Sequence, residues 1–152
     1  MKNNYTIVDS FDKLPSPSYV CEESLLEKNL KLLKRVQDES GISILLALKG
    51  FAMHSTFDLC KKYLKGCCAS GLHEAILAKE EFGGEVHTYS PAFKDEEIDE
   101  IISISNHLVF NSFNQLKRYK DKAYGKTSLG VRLNPEYSSV AVDLYNPCAI
   151  NS

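Results

Sequence analysis

The chain has 152 residues, of which 43% are hydrophobic and 25% are charged, and its formal net charge is -2. This composition is typical of one globular domain and excludes a disordered chain or a basic nucleic-acid-binding protein. The first residues lack the apolar core of a signal peptide, and no apolar run approaches the roughly 20 residues of a membrane span, so we expect a cytoplasmic protein with no nucleic-acid or membrane partner.

A long helix is predicted after a polar leader over residues 1–16, at the start of a domain that we expect to span residues 17–152. Ser24 and Glu27 form a capping-box pattern near its beginning, and Gly41 is placed as its C-terminal cap. Four apolar residues recur at helical spacing between about Glu22 and Ser40: Leu26, Leu30, Leu33 and Val36.

The pattern then changes to strands alternating with helices. Helices are predicted over residues 55–65, 72–82, 95–103 and 112–123, each after one of the first four strands. This alternation favours a parallel sheet, either a (β/α)8 barrel or an open doubly wound sheet. Five strands are predicted, with starts near Ile42, Cys67, Val86, His107 and Ser128.

Residues typical of helix ends support these boundaries. Ser112 and Gln115 form a second capping-box pattern. Glycines follow three of the predicted helices, at Gly66, Gly83–Gly84 and Gly125.

A polar residue follows each predicted strand. Because the carboxyl ends of parallel strands meet at one edge of the sheet, these residues are expected on one rim, which in a barrel is the active-site face. Turns also favour Ser and Asn for conformational reasons alone. The five residues are Lys49, Ser70, Ser90, Asn111 and Asn134.

Lys49 is the most informative of the five. It follows the apolar run from Ile42 to Leu48, which predicts a buried strand. A lysine attacks a carbonyl only as the neutral amine, and apolar surroundings favour that form. The alternative is an exposed lysine that merely ends a strand, but its position on the predicted rim makes Lys49 a candidate Schiff-base former.

The cysteines and histidines predict no metal site. The five cysteines lack C-x-x-C spacing and are expected to be reduced. The four histidines lie roughly 14 to 20 residues apart without the paired spacing of zinc ligands. His87 and His107 begin predicted strands and are expected to be partly buried sheet residues.

Several segments resemble the fold type III pyridoxal-phosphate decarboxylases, the group that contains alanine racemase and ornithine decarboxylase. Within that group the chain is most similar to the carboxynorspermidine/carboxyspermidine decarboxylases, from about Pro17 to Ala149. The stretches Asn-Pro-Glu-Tyr-Ser and Tyr-Asn-Pro-Cys discriminate best. The matching segments are residues 46–52, 68–74, 87–93, 108–112, 131–138 and 144–148.

The resemblance implies a (β/α)8 barrel of the alanine racemase N-terminal type, of which about five units are present and the C-terminal β-domain is absent. It implies pyridoxal 5'-phosphate as cofactor, with Lys49 as the catalytic residue that holds it. Arg132 would lie by the cofactor ring, with Ser70, Glu74 and Asn111 near it. The resemblance further implies a polyamine carboxylate substrate, a homodimer, and substrate contacts from Glu136, Tyr137, Tyr145 and Asn146.

Several elements of that family are expected beyond residue 152, including a glycine-rich phosphate-binding turn and a cysteine supplied by the partner subunit. The tail over residues 150–152 departs from the family pattern, so we expect a truncated chain with little or no activity alone.

The alternatives are a non-catalytic piece that pairs with a full-length or complementary chain, a related diaminopimelate decarboxylase or racemase, and a class I aldolase. The sequence does not separate carboxynorspermidine from carboxyspermidine as substrate.

Overall fold

The computed structural model describes residues 14–142, 145, 146 and 148, so most of the predicted leader and the tail over residues 150–152 lie outside it. Five strands form one sheet in the order β1-β2-β3-β4-β5, and every neighbouring pair is parallel. The strands are β1 (Leu45–Ala47), β2 (Gly66–Ala69), β3 (Glu85–Tyr89), β4 (His107–Phe110) and β5 (Ser128–Val131).

Helices connect the strands and cover one face of the sheet. A 3-10 turn, His54–Thr56, precedes α2, and α3 continues as a π-helix over Ala78–Phe82. The helices are α1 (Glu23–Ser40), α2 (Phe57–Cys60), α3 (Leu72–Leu77), α4 (Ile98–Ile104) and α5 (Phe113–Ala123). Among the described residues, none of these helices combines the length and apolar character that a membrane crossing requires.

The strand order decides between the two predicted architectures. Each strand pairs with the next one along the chain, as adjacent strands do in a (β/α)8 barrel, whereas a doubly wound sheet reverses its order at a switch point. The prediction of an α/β fold made of the first five units of such a barrel is therefore confirmed.

The prediction of a buried first strand from Ile42 was wrong. β1 begins only at Leu45 and has three residues, and Ile42 is 54% exposed. The reason is that β1 forms an edge of the described sheet and pairs on one side only, with β2. The other four strands begin within one residue of their predicted starts.

The predicted capping box at the start of α1 was also wrong. Ser24 lies inside the helix, and its hydroxyl donates to the Glu22 carboxylate at 2.6 Å. Glu27 instead accepts a hydrogen bond from the Tyr63 hydroxyl at 2.6 Å. The predicted cap at the other end is confirmed, because Gly41 has a φ of 73° and its N–H donates to the carbonyl of Gln37 at 2.9 Å.

The face of α1 that packs inward is narrower than its apolar spacing predicts. Leu30 is buried, but Leu33 and Val36 are exposed, and the next buried residue is the polar Gln37. The Gln37 amide donates to the Tyr63 carbonyl at 2.7 Å and accepts from the Ile44 N–H at 2.8 Å. These hydrogen bonds satisfy its buried polar group and fix α1 against the chain that enters β1.

Side chains alternate between the two faces of the sheet. The face toward the helices packs into an apolar cluster around Cys67 and Val86, and burial raises the pKa of the Cys67 thiol to about 12. A second core cluster on the same side surrounds Leu108 and Phe110. The opposite face, called the open face below, carries Cys68, Glu85, His87, Tyr89 and His107, all partly or well exposed.

Gly66 is not a helix cap, as the sequence predicted, but the first residue of β2. A Cβ atom built on it would lie 1.9 Å from the carbonyl oxygen of Glu85, its partner on β3. No side chain fits in that space, so the two strands need glycine at this position.

Candidate functional site

Lys49 lies in the turn that follows β1. The N–H groups of Gly50 and Phe51 donate to the Ala47 carbonyl at 3.0 and 3.1 Å and close this turn. The predicted position at the carboxyl end of the first strand is therefore observed. The predicted apolar enclosure is not, because Lys49 is exposed at the free edge of the described sheet.

Cys68 is the β2 residue whose thiol pKa is affected by the Lys49 charge. It pairs with Ala47 on β1 and lies on the open face. Desolvation raises the pKa of the Cys68 thiol, and the nearby Lys49 ammonium partly opposes this rise. Cys68 is thus paired with the β1 residue that lies two positions before Lys49.

Three polar side chains meet where β3, β4 and β5 end. The Tyr89 hydroxyl donates to the Asn111 side-chain oxygen at 2.9 Å and accepts from the Arg132 guanidinium at 2.6 Å. The Arg132 guanidinium also lies over the Tyr89 ring, 5.6 Å from its centroid. We call Tyr89, Asn111 and Arg132 the rim cluster.

Ser70 and Glu74 meet at the start of α3. The Glu74 carboxylate accepts a hydrogen bond from the Ser70 backbone N–H at 2.7 Å, a contact typical of helix capping. They line a cavity of 380 Å³ together with Ser90 and Phe93. Both side chains are therefore accessible to a small polar ligand in this cavity.

The segment after β5 carries the residues that were predicted to contact substrate. Glu136 has a φ of 56°, and its N–H donates to the Asn134 side-chain oxygen at 3.0 Å. Tyr137 and Tyr145 are 77% and 72% exposed. Asn146 accepts from the Cys148 N–H at 2.9 Å. No hydrogen bond, ion pair or cation–π contact joins these residues to the rim cluster in the part of the chain that the structure describes, so their role stays a prediction.

Tyr89 is the residue that the sequence reasoning missed. The sequence pattern predicts Ser90 at the rim, because it follows the predicted strand, whereas the side chain that bridges Asn111 and Arg132 belongs to Tyr89, the last residue of β3. Alternation along β3 places Glu85, His87 and Tyr89 on one face, and this period of two in the sequence could have identified it.

No protein-family model matches the chain. It is 50% identical over 138 residues to a carboxynorspermidine/carboxyspermidine decarboxylase from Campylobacter jejuni, covering 91% of this chain and 36% of that protein. It is 46% identical over 140 residues to a carboxyaminopropylagmatine decarboxylase from Synechocystis sp., with the same coverage of 91% and 36%. A decarboxylase from Herminiimonas arsenicoxydans, with the same name as the Campylobacter protein, is 42% identical over 134 residues, covering 88% of this chain and 36% of that protein.

A solved structure agrees with these similarities. The crystal structure of carboxynorspermidine decarboxylase from Campylobacter jejuni, complexed with norspermidine, superposes with a TM-score of 0.80 at 49% identity, covering 85% of this chain and 35% of that chain. Nearly all of this chain is therefore similar in sequence and fold to carboxynorspermidine/carboxyspermidine decarboxylases, and it spans about a third of their length.

Proposed function

We propose that this chain forms the lysine-bearing part of a pyridoxal-phosphate-dependent decarboxylase that acts on a carboxylated polyamine in polyamine biosynthesis. The observation that supports it most is Lys49, an accessible amine at the carboxyl end of β1 in a fold similar to that of such a decarboxylase. The protein would work in the cytoplasm as a homodimer.

The residues at the rim fit the cofactor by their chemistry. Lys49 is an exposed primary amine, which an aldehyde can reach. Arg132 and Asn111 offer a permanent positive charge and an amide beside it, both suited to a polar aromatic ring. When bound, the cofactor supplies an electron sink for the bond that breaks as carbon dioxide leaves.

The chain's own residues would divide the remaining work. The Lys49 amine would hold the cofactor and, when free, would return a proton to the substrate carbon. Tyr89 would keep the Arg132 guanidinium at the end of β5, because it accepts its hydrogen bond and packs under it. Ser70 and Glu74 would shape the opening beside them.

The substrate would be a polycation that carries one carboxylate. The names of the similar proteins share this chemistry, although one substrate ends in an agmatine unit. The Glu136 carboxylate and the exposed rings of Tyr137 and Tyr145 are suited to ammonium groups, through charge and cation–π attraction. Asn146 would add a hydrogen bond. The left-handed backbone at Glu136 is unusual for a residue other than glycine, and such positions concentrate at ligand sites.

A chimera tests the proposal directly. Residues 17–149 of this chain would replace the equivalent segment of the Campylobacter jejuni decarboxylase, which is about half identical to it. We expect the purified chimera to bind pyridoxal phosphate and to release carbon dioxide from carboxynorspermidine. The 152-residue chain alone should release little or none. A soluble chimera that binds the cofactor but releases no carbon dioxide from carboxynorspermidine, carboxyspermidine or carboxyaminopropylagmatine would contradict the proposal.

The rim cluster predicts a smaller effect in the same chimera. Tyr89→Phe keeps the ring under Arg132 but removes the hydroxyl that bonds Arg132 and Asn111. We expect kcat/KM to fall about 10-fold, equivalent to about 1.4 kcal/mol, while stability changes by less than about 1 kcal/mol. The control is Tyr124→Phe, at a tyrosine that is 84% exposed, and it should change neither quantity. Equal kcat/KM values for Tyr89→Phe and Tyr124→Phe would show that Tyr89 does not belong to the site.

A further inference from the structure

A row of side chains crosses the open face of the sheet at the level where β4 begins. The register places one residue of each strand beside the next across all five strands. His87 on β3 is thereby paired directly with His107 on β4, and Cys68 lies beside His87 on β2. The complete row is Ala47, Cys68, His87, His107 and Ser128.

Glu85 completes a compact group with the two histidines. It precedes His87 by two residues on β3, so both side chains lie on the open face. A Glu85 carboxylate oxygen lies 2.9 Å from His87 Nε2, and the two imidazole rings have centroids 4.0 Å apart. One potential ligand atom from each of the three residues lies within 4.8 Å of those of the other two.

We propose that Glu85, His87 and His107 bind a zinc ion. Two imidazoles and one carboxylate form a common donor set for this metal, with ligand distances of about 2.0 to 2.2 Å. Ligand atoms around a tetrahedral ion of that size lie roughly 3.4 Å apart, so the atoms of this group need only small rotamer changes to surround it. The ion would replace the hydrogen bond between Glu85 and His87 and would leave one coordination position for water.

The group is reachable and separate from the proposed cofactor site. The side chains of His87 and Glu85 are 29% and 47% exposed, so no helix of the described chain seals them. Glu85 and His107 are the first residues of their strands, whereas Lys49 follows the end of β1. The row that holds His87 and His107 reaches β1 at Ala47, but β2 lies between these ligands and β1. None of the three ligands is a residue that we assign to the cofactor, so the zinc site does not depend on the proposed decarboxylase function.

Cobalt is the best probe, because Co²⁺ occupies zinc sites and reports its geometry by visible absorption. We expect the untagged 152-residue chain to bind one Co²⁺ per chain, with bands of a four- or five-coordinate ion that disappear when Zn²⁺ is added. Glu85→Gln, His87→Gln and His107→Gln should each weaken Zn²⁺ binding by more than about 100-fold in calorimetric titration, because outer-shell partners alone cost roughly 10- to 100-fold.

Matched controls separate this site from adventitious binding. His54 and His73 are exposed on other elements, and a chain with both replaced by Gln should bind Zn²⁺ as the unchanged chain does. Cys68→Ser should also keep the site. The proposal would be overturned if the unchanged chain binds no ion, if the three variants bind as well as it does, or if only Cys68→Ser loses binding. Circular dichroism checks that each variant folds. If a histidine variant unfolds, the nearly isosteric Glu85→Gln variant provides the test in its place.

Discussion

Replacing Lys49 with arginine in the chimera will abolish decarboxylation. Arginine preserves the positive charge and the length of the side chain, but its guanidinium is permanently protonated and cannot attack an aldehyde. We expect kcat to fall by at least roughly 10³-fold, since removal of a covalent nucleophile costs up to about 10⁶-fold in other enzymes. The measurement is carbon dioxide release at saturating substrate and cofactor.

Lys65→Arg is the matched control. Lys65 is also exposed, but it directly precedes β2, at the opposite end of the sheet from Lys49. The same chemical change there should leave the rate unaltered. Borohydride reduction of the cofactor-loaded chimera, followed by peptide mass spectrometry, should place the modification on Lys49 and remove it in the Lys49→Arg variant. More than a tenth of the original rate in that variant would show that Lys49 is not the catalytic amine.

The parts of the fold that depend on local pattern were predicted well. Four strands begin within one residue of their predicted starts, and Ser112 caps α5 by accepting the Gln115 N–H at 3.2 Å. Strand alternation and the cap at Ser112 act over a few residues, so the sequence carries them directly. The capping box predicted at Ser24 and the inward face predicted for α1 were wrong, because contacts with Glu22 and with other elements replaced them.

The parts that depend on neighbouring strands were not predicted. Ile42 is apolar enough for a core strand, but β1 has only β2 beside it in the described chain, so the strand is short and Ile42 is exposed. His87 and His107 are far apart in sequence, and only the β3–β4 register makes them neighbours. Spacing along the chain could not predict the proposed metal site, because its ligands meet across strands.

The candidate site was likewise predicted in part: the positions at the strand ends were predicted, and the contacts between side chains were not. The rule that parallel strands end at one edge predicted where Lys49 and Asn111 lie. It could not predict that Tyr89 joins Asn111 to Arg132, because that contact depends on the side chains of three strands. The functions of these residues stay predictions until the chimera is measured.

Gly66→Ala will lower the stability of this chain more than any exposed substitution. A Cβ atom at Gly66 would lie 1.9 Å from the Glu85 carbonyl oxygen and 2.6 Å from the backbone carbon and nitrogen of the same residue. Backbone atoms in the middle of a sheet cannot rotate away, so β2 and β3 must separate. Overpacking of this kind costs about 3 kcal/mol, a large fraction of the 5 to 15 kcal/mol that stabilises a typical domain, as a rough guide.

Gly71→Ala is the control, because it makes the same chemical change five residues later. No atom lies within 4 Å of a Cβ at Gly71, and its backbone is extended, with a φ of 171°. Urea unfolding followed by circular dichroism should show a lower midpoint for Gly66→Ala and an unchanged midpoint for Gly71→Ala, with similar slopes. Because Gly66 pairs with Glu85, and β3 carries the proposed ligands Glu85 and His87, Gly66→Ala should also weaken Co²⁺ binding. Equal midpoints for the two variants would mean that the strands are not held as closely as the Gly66–Glu85 pair requires.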